Sequence, residues 1–189
     1  MKGLSLANVH CLIEPGPTVL VTTSHNGRSN IMALSWHMMI GSEPPLIGCV
    51  IGPWNHTFTA LRDTGECVLA IPTVDLADQV IGIGHCSGGE IDKFSVFDLT
   101  PLPAKRVKSP LIAECLANLE CRVESTRLMN QYSLFILKVV KAWIDRERKE
   151  RRTIHHNGDG SFIVDGKTIN LAMKMTKWRE HRKTPSENK

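Results

Sequence analysis

Between Ser29 and Thr59 the chain concentrates small and hydroxyl-bearing residues: Ser29, Ala33, Ser35, Gly48, Gly52, Thr57 and Thr59. Small side chains let a ligand approach the main chain of a strand closely, where bulky ones would hold it off. The same stretch closes on Asn55, His56 and Thr57. A helix start at that point offers free N–H groups and the positive end of its dipole to an anion. A planar molecule carrying a phosphate suits this combination. Its flat part lies along the strand and its phosphate meets the helix.

The elements that must position these residues follow from the local pattern. Thr18 to Thr23 reads as a strand, and Asn26-Gly27 is a two-residue hairpin signal. The return strand covers Ser29 to Met38. Gly41 to Pro45 is assigned to a loop, because successive prolines cannot join a ladder. Leu46 to Ile51 is a buried strand, and Asn55 to Arg62 a helix ending at Asp63-Thr64-Gly65. Glu66 to Ile71 is the next strand. Asp75 caps a second helix, with Leu76, Val80 and Ile81 on its buried face.

Cys115 to Glu124 and Gln131 to Ile144 are two longer strands. The second is nearly apolar on both faces, so one face lines a barrel interior and the other meets a helix or a second subunit. Asp145 to Arg152 is an exposed charge run. Turn signals then flank the short apolar run Phe162 to Val164. Many short strands with few helices predict a mainly β fold, a barrel with peripheral helices. The run from Gly82 to Gly89 begins like a dinucleotide-binding glycine fingerprint, but Ser87 stands at its sixth position and a helix precedes it. It is rejected as a Rossmann site.

Composition excludes other classes. The chain of 189 residues suits one domain over 1–189, with a basic C-terminal tail at about 178–189. Its formal net charge is +4, and the tail interleaves Glu180 and Glu187 with the cations, so no nucleic-acid partner is expected. Neither a membrane span nor a secretory core is visible, and a cytoplasmic location is expected. The six cysteines show no C-x-x-C pair, which opposes a zinc or dithiol site. No metal is expected.

Four patches carry a resemblance across about Pro15 to Lys177. They are GRSNIMALSW (27–36), PPLIGCVIGPWNHTFTALRDTGE (44–66), GEIDKF (89–94) with SPLIAECLANLECRVE (109–124), and HHNGDGSFIVDG (155–166). Together they resemble the flavin reductase-like family of FMN-binding split β-barrels, which includes the flavoredoxins. The resemblance implies that Asn30, Met32, Ala33 and Ser35 lie beside the isoalloxazine and ribityl chain, with Trp36 at the rim. It places Gly48, Cys49, Val50 and Ile51 on the neighbouring strand and Asn55, His56 and Thr57 at the phosphate. Lys93 and Phe94 would close over the cofactor. His155 and Phe162 would face the ring, from this chain or its partner. His56 departs from the pattern, since many relatives carry arginine there.

The activity so implied is that of an oxidoreductase. Hydride from NADH or NADPH would reduce the FMN, and electrons would pass to free flavin, a protein acceptor or a monooxygenase. A flavoredoxin-type carrier is the alternative, and a non-catalytic flavin- or haem-binding protein a third. A homodimer is expected. FAD is expected to bind less well than FMN if the helix start encloses the phosphate. The residues alone allow plainer roles: a helix cap for Asn55 and Thr57, packing for Trp36, idle loop positions for His155 and His156. Lys93 beside Asp92 reads as solvated, so that Lys93→Ala would cost little stability.

Overall fold

The structure, a computed structural model, describes residues 16–174. The tail at 178–189 and Cys11 lie outside them. Asn26 and Gly27 take φ of 52° and 75°, the two left-handed positions of a type I′ turn. They join β1 (Val19–His25) to β2 (Arg28–Leu34), paired from Val19 opposite Leu34 to His25 opposite Arg28.

The expected single return strand is two. Ser35 and Trp36 break it, and β3 (His37–Ser42) leaves to pair with β4 (Pro45–Val50) instead. The expected loop over 41–45 shrinks to the turn Glu43-Pro44, with Ser42 opposite Pro45. Proline is tolerated there because it is the first residue of its strand.

Helix α1 (His56–Thr64) ends where Gly65, at φ 66°, donates its N–H to the Leu61 carbonyl. β5 (Glu66–Ile71) follows. A 3₁₀ turn (Val74–Leu76) then leads into α2 (Ala77–Gly84). Asp75 is therefore inside a turn rather than a helix cap. Its carboxylate accepts from Thr73 Oγ1 and from Arg148. The buried face of α2 uses Val80 and Ile83, whereas Ile81 is exposed. The start of α3 (Lys93–Val96) is capped by Asp92, which accepts from the N–H groups of Phe94 and Ser95.

Two short strands, β6 (Pro101–Leu102) and β7 (Leu111–Ile112), precede β8 (Ala117–Ser125). A helical turn, α4 (Met129–Tyr132), leads to β9 (Leu134–Ile144), and β10 (Ile154–His156) pairs with β11 (Phe162–Val164).

The main sheet is antiparallel, with the order β2-β1-β5-β8-β9-β4-β3. Leu34 of β2 packs in one cluster with Ile47 and Cys49 of β4, although nearly the whole sheet lies between those strands. The sheet is curled into a barrel that stays split between β2 and β3. Val19, Val21, Cys67, Leu69, Phe135 and Leu137 fill its interior. Alternate residues such as Leu20 and Ala70 face outward and pack with Leu76, Val80, Ile83 and Phe94. Burial on both faces explains the near-continuous apolar runs.

Cys49, Cys67, Cys115 and Cys121 are buried free thiols, and burial pushes the Cys115 thiol up to about 12. They act as small hydrophobes. Glu120 is fully buried. Its carboxylate accepts the Trp143 indole N–H at 2.7 Å and the backbone N–H groups of Lys105 and Arg106.

Candidate functional site: a groove along the free edge of β2

Being the edge of the sheet, β2 has one unpaired row of backbone N–H and C=O groups among the described residues. Three adjoining cavities, of about 530, 320 and 240 Å³, run along it. The first two share Asn30, Trp54 and His56, and the last two share Ala33, Gly84 and His85. The result is one groove, from Arg28 and Ser29 at one end to Ser35, His156 and Phe162 at the other. Its far wall is the last turn of α2 and the loop to Gly88.

Asn30 is the polar centre of the groove. It is 7% exposed, and its Nδ2 donates to Thr57 Oγ1 at 3.0 Å. Its Oδ1 is buried with no hydrogen-bond partner. Turning the amide over only exchanges which polar atom is left, because the Thr57 hydroxyl can donate or accept. A Cβ on Gly88 would sit 1.8 Å from that oxygen. Only glycine lets the loop come this close.

Lys93 is not the solvated lysine expected from its neighbour Asp92. It is 4% exposed, lines the middle cavity, and donates from Nζ to the Ile83 carbonyl at 2.8 Å. Burial lowers its pKa from the ordinary 10.5. The ammonium therefore stands at the negative end of α2. His85 Nδ1 and Cys86 Sγ hold the neighbouring carbonyls of Ile81 and Gly82, at 2.8 and 3.2 Å. These three side chains fix the wall of the groove.

Asn55 occupies the cap position of α1 without capping it. Its Oδ1 accepts instead from the Gly52 N–H at 3.0 Å. Thr57 is buried and serves Asn30 rather than the helix end. Trp54 lays its ring over Gly52, where a Cβ would come within 2.3 Å of it.

Asn30, Met32, Ala33, Asn55, His56, Thr57 and Lys93 thus meet in the middle cavity, and Ser35 and Phe162 in the next. The other expected residues lie outside these three cavities. β4 pairs with β3 and β9, not with β2. Cys49 and Ile51 are core residues, Gly48 faces Ile40 and Leu134, and the Val50 N–H bonds the Trp36 carbonyl. Their small, apolar character serves barrel packing. Trp36 is 56% exposed at the break between β2 and β3 and lines none of the three cavities. Phe94 is buried in the outer cluster. His155 is turned toward Thr153 and Asp165, at 2.9 and 2.8 Å. Side chains alternate along a strand, so His156 faces the groove, 5.0 Å from Phe162 between ring centroids.

The sequence reading missed Arg28, Trp54, His156 and the whole wall from Gly84 to Gly88. The Ser-Gly-Gly at 87–89 was the available signal, since a backbone that must touch a buried side chain requires glycine. The described lining residues include cations and histidines but no carboxylate. That balance suits an anionic ligand.

A split antiparallel barrel with a groove along its unpaired strand has the FMN-binding split-barrel fold. Residues 12–161 match the flavin reductase like domain, and the chain belongs to the flavin reductase-like family. The Escherichia coli K12 protein named "Uncharacterized protein YddH" is 29% identical over 180 residues, 88% of this chain and 95% of that protein. Flavoredoxin of Desulfovibrio vulgaris (Miyazaki F) superposes with a TM-score of 0.83 at 23% identity, covering 93% of this chain and all of that one. An FMN-binding domain of a flavin reductases-like enzyme from Shewanella baltica gives 0.77 at 26% identity, with 90% and 96% covered.

Proposed function

We propose that this protein binds FMN in the groove beside β2 and works as an oxidoreductase, accepting hydride from NADH or NADPH. Electrons then pass to free flavin, a protein acceptor or a monooxygenase. The observation that carries the reading is the buried, partnerless polar atom of Asn30 at the middle of a groove with no carboxylate among its described lining residues. A buried polar atom left unpaired costs about 1–3 kcal/mol. A hydroxyl-bearing ligand chain lying across Asn30 removes that cost.

The residues present fit the cofactor. Asn30 and Thr57 would hold the ribityl chain, and Asn55, His56 and the start of α1 would meet the phosphate. Ala33, Ser35 and Phe162 would border the ring. When bound, the flavin supplies the redox chemistry. The protein's part is to exclude water along β2, to orient the ring, and to place the Lys93 ammonium where negative charge arrives. The exposed Trp36, Met38, Met39 and Ile40 around β3 support a homodimer in which a second copy covers this face.

Titration of the purified protein with FMN, followed by anaerobic NADH or NADPH, tests the reading. One FMN per chain and rapid bleaching of the flavin band are expected. Failure to bind FMN would overturn it. Bleaching only by a reduced protein partner, and by neither nicotinamide, would make the protein an electron carrier.

A further inference from the structure

We infer that the outer face of β8 and β9, with the loop over 103–110 that joins β6 to β7, is a docking surface for an acidic protein. Leu119, Cys121 and Val123 of β8 and Phe135, Leu137 and Val139 of β9 belong to the barrel interior, so the residues between them face outward. On that outer side Arg122 stands opposite Lys138, and Glu120 opposite Lys141. The loop adds Lys105, Arg106 and Lys108. β9 and the loop contain no acidic residue, and β8 contains only Glu120 and Glu124.

Contacts join these six cations into one patch. Arg122 donates to the Arg106 carbonyl at 2.9 Å and lies 3.5 Å from Glu66, which also accepts the Lys108 N–H. Lys105 and Lys141 both bring their ammonium to the Trp143 ring, 5.2 and 4.7 Å from its centroid. Little carboxylate faces solvent beside them. Glu120 is fully buried, held by the Trp143 indole and the loop backbone, and Glu124 is the exposed acid of β8. Like charges directly opposite one another weaken a sheet, and Arg122 against Lys138 is such a pair. The two ammoniums on one indole repel as well. An anionic partner relieves both repulsions.

Chemistry and position select that partner. A second copy is unsuited, because a two-fold contact on this face would set cations against cations. Nucleic acid is unsuited too. The Trp143 ring carries ammoniums and its N–H is committed to Glu120, which leaves no platform for a base. Glu66 and Glu124 also stand among the cations, where phosphates would have to pass. A protein surface rich in Asp and Glu can pair with such a mixed patch. β8 and β9 have 9 and 11 residues, a run of about 30 Å, enough for a standard interface of about 800 Å² per partner. None of the six cations lines the groove, and β1 and β5 lie between β8 and the edge of β2. A protein docked here leaves the groove open, so the inference stands apart from the flavin reading.

The test titrates the full chain with three polyanions at low and at physiological salt: poly-L-glutamate, duplex DNA, and vesicles containing phosphatidylserine. Poly-L-glutamate should bind most tightly and weaken with salt. Lys108→Gln with Lys138→Gln should weaken it by roughly tenfold. Lys149→Gln with Arg151→Gln removes the same charge from the exposed run outside the patch and should change it by less than about threefold. The patch variant should melt no lower than wild type, since it removes a repulsive pair. Equal losses in the two double variants would mean that binding follows net charge, and would overturn the surface. Tighter binding of DNA or vesicles than of poly-L-glutamate would overturn the choice of an acidic protein. Poly-L-glutamate should bind equally with and without FMN; competition between them would move the polyanion into the groove and refute the inference.

Discussion

Lys93→Met separates the packing role of this lysine from its charge. Methionine keeps an unbranched apolar stem in a site where Lys93 is 4% exposed, so no large cavity opens. The bond from Nζ to the Ile83 carbonyl, 2.8 Å long, is lost. A hydrogen bond from a charged group is worth about 1.5–3 kcal/mol. The cost of burying the ammonium, which lowers its pKa, disappears at the same time. These terms oppose, and the apoprotein should lose only about 1 kcal/mol. FMN affinity has no such offset and should fall roughly tenfold, or about 1.4 kcal/mol.

Proton linkage gives the sharper signature. Between the lowered pKa of Lys93 and the ordinary 10.5, the unfolded chain holds a proton that the folded apoprotein does not. Apoprotein stability therefore gains from this group as pH rises through that window. FMN binding runs the other way, because an anion favours the charged amine, and affinity should weaken as pH rises through the lowered value. The variant should show neither trend. Urea melts and FMN titrations at several pH values above neutrality measure both. Identical FMN affinity and identical pH slopes in wild type and Lys93→Met would refute the assignment of this ammonium to the ligand.

Asn30→Ala should change stability by less than about 1 kcal/mol, since the lost bond to Thr57 is offset by removal of a buried orphan; FMN affinity should nevertheless drop about tenfold by titration. Gly88→Ala and Gly84→Ala form a contrast, because a Cβ meets Asn30 Oδ1 at 1.8 Å in the first case and only Ala33 Cβ at 3.7 Å in the second. Gly88→Ala should abolish flavin retention on gel filtration, and Gly84→Ala should leave the melting temperature nearly unchanged. Glu120 is pushed up by burial but pulled further down by the Trp143 indole and the backbone N–H groups it accepts, and its net pKa lies below the ordinary 4.5. Its stabilisation is thus present above that value and lost as pH falls through the lowered one. Glu120→Gln should cost about 2 kcal/mol at pH 7 in urea melts, with a difference that narrows at acid pH.

The periodic and turn-bounded parts of this fold were legible in the sequence. The Asn26-Gly27 hairpin, the strand over Glu66–Ile71 and the helix closed by Gly65 depend on local chemistry, and all three occur as read. The break at Ser35-Trp36 was not legible, because nothing local in that run marks where a strand leaves one sheet edge for the other. Site residues split along the same line. Ala33 and Thr57 came from the small-residue pattern and Asn30 from the family resemblance, and the three line one cavity. The buried state of Lys93 depends on the Ile83 carbonyl, ten residues earlier, at the end of a helix that runs into the glycine-rich stretch. The choice between His155 and His156 depends on strand parity, which a three-residue strand cannot reveal by itself.

The split between β2 and β3 also sets a timetable for biosynthesis. β4 finds its outer partner only in β9, with Leu46 opposite Lys138 and Val50 opposite Leu134. At a synthesis rate of about 5–20 residues per second, the intervening chain takes on the order of ten seconds to emerge. Throughout that interval the β3–β4 hairpin, with Met38, Met39 and Ile40 on its surface, has no strand to join on its other side. Non-local closure of this kind is slow even in the finished chain. The nascent protein thus carries the unpaired edge of β4 early and pairs it late, which makes this segment a natural place for chaperone engagement. Pulse-labelled hydrogen exchange during refolding should find the β4 amides protected after those of β1 and β2; simultaneous protection would contradict this order of assembly.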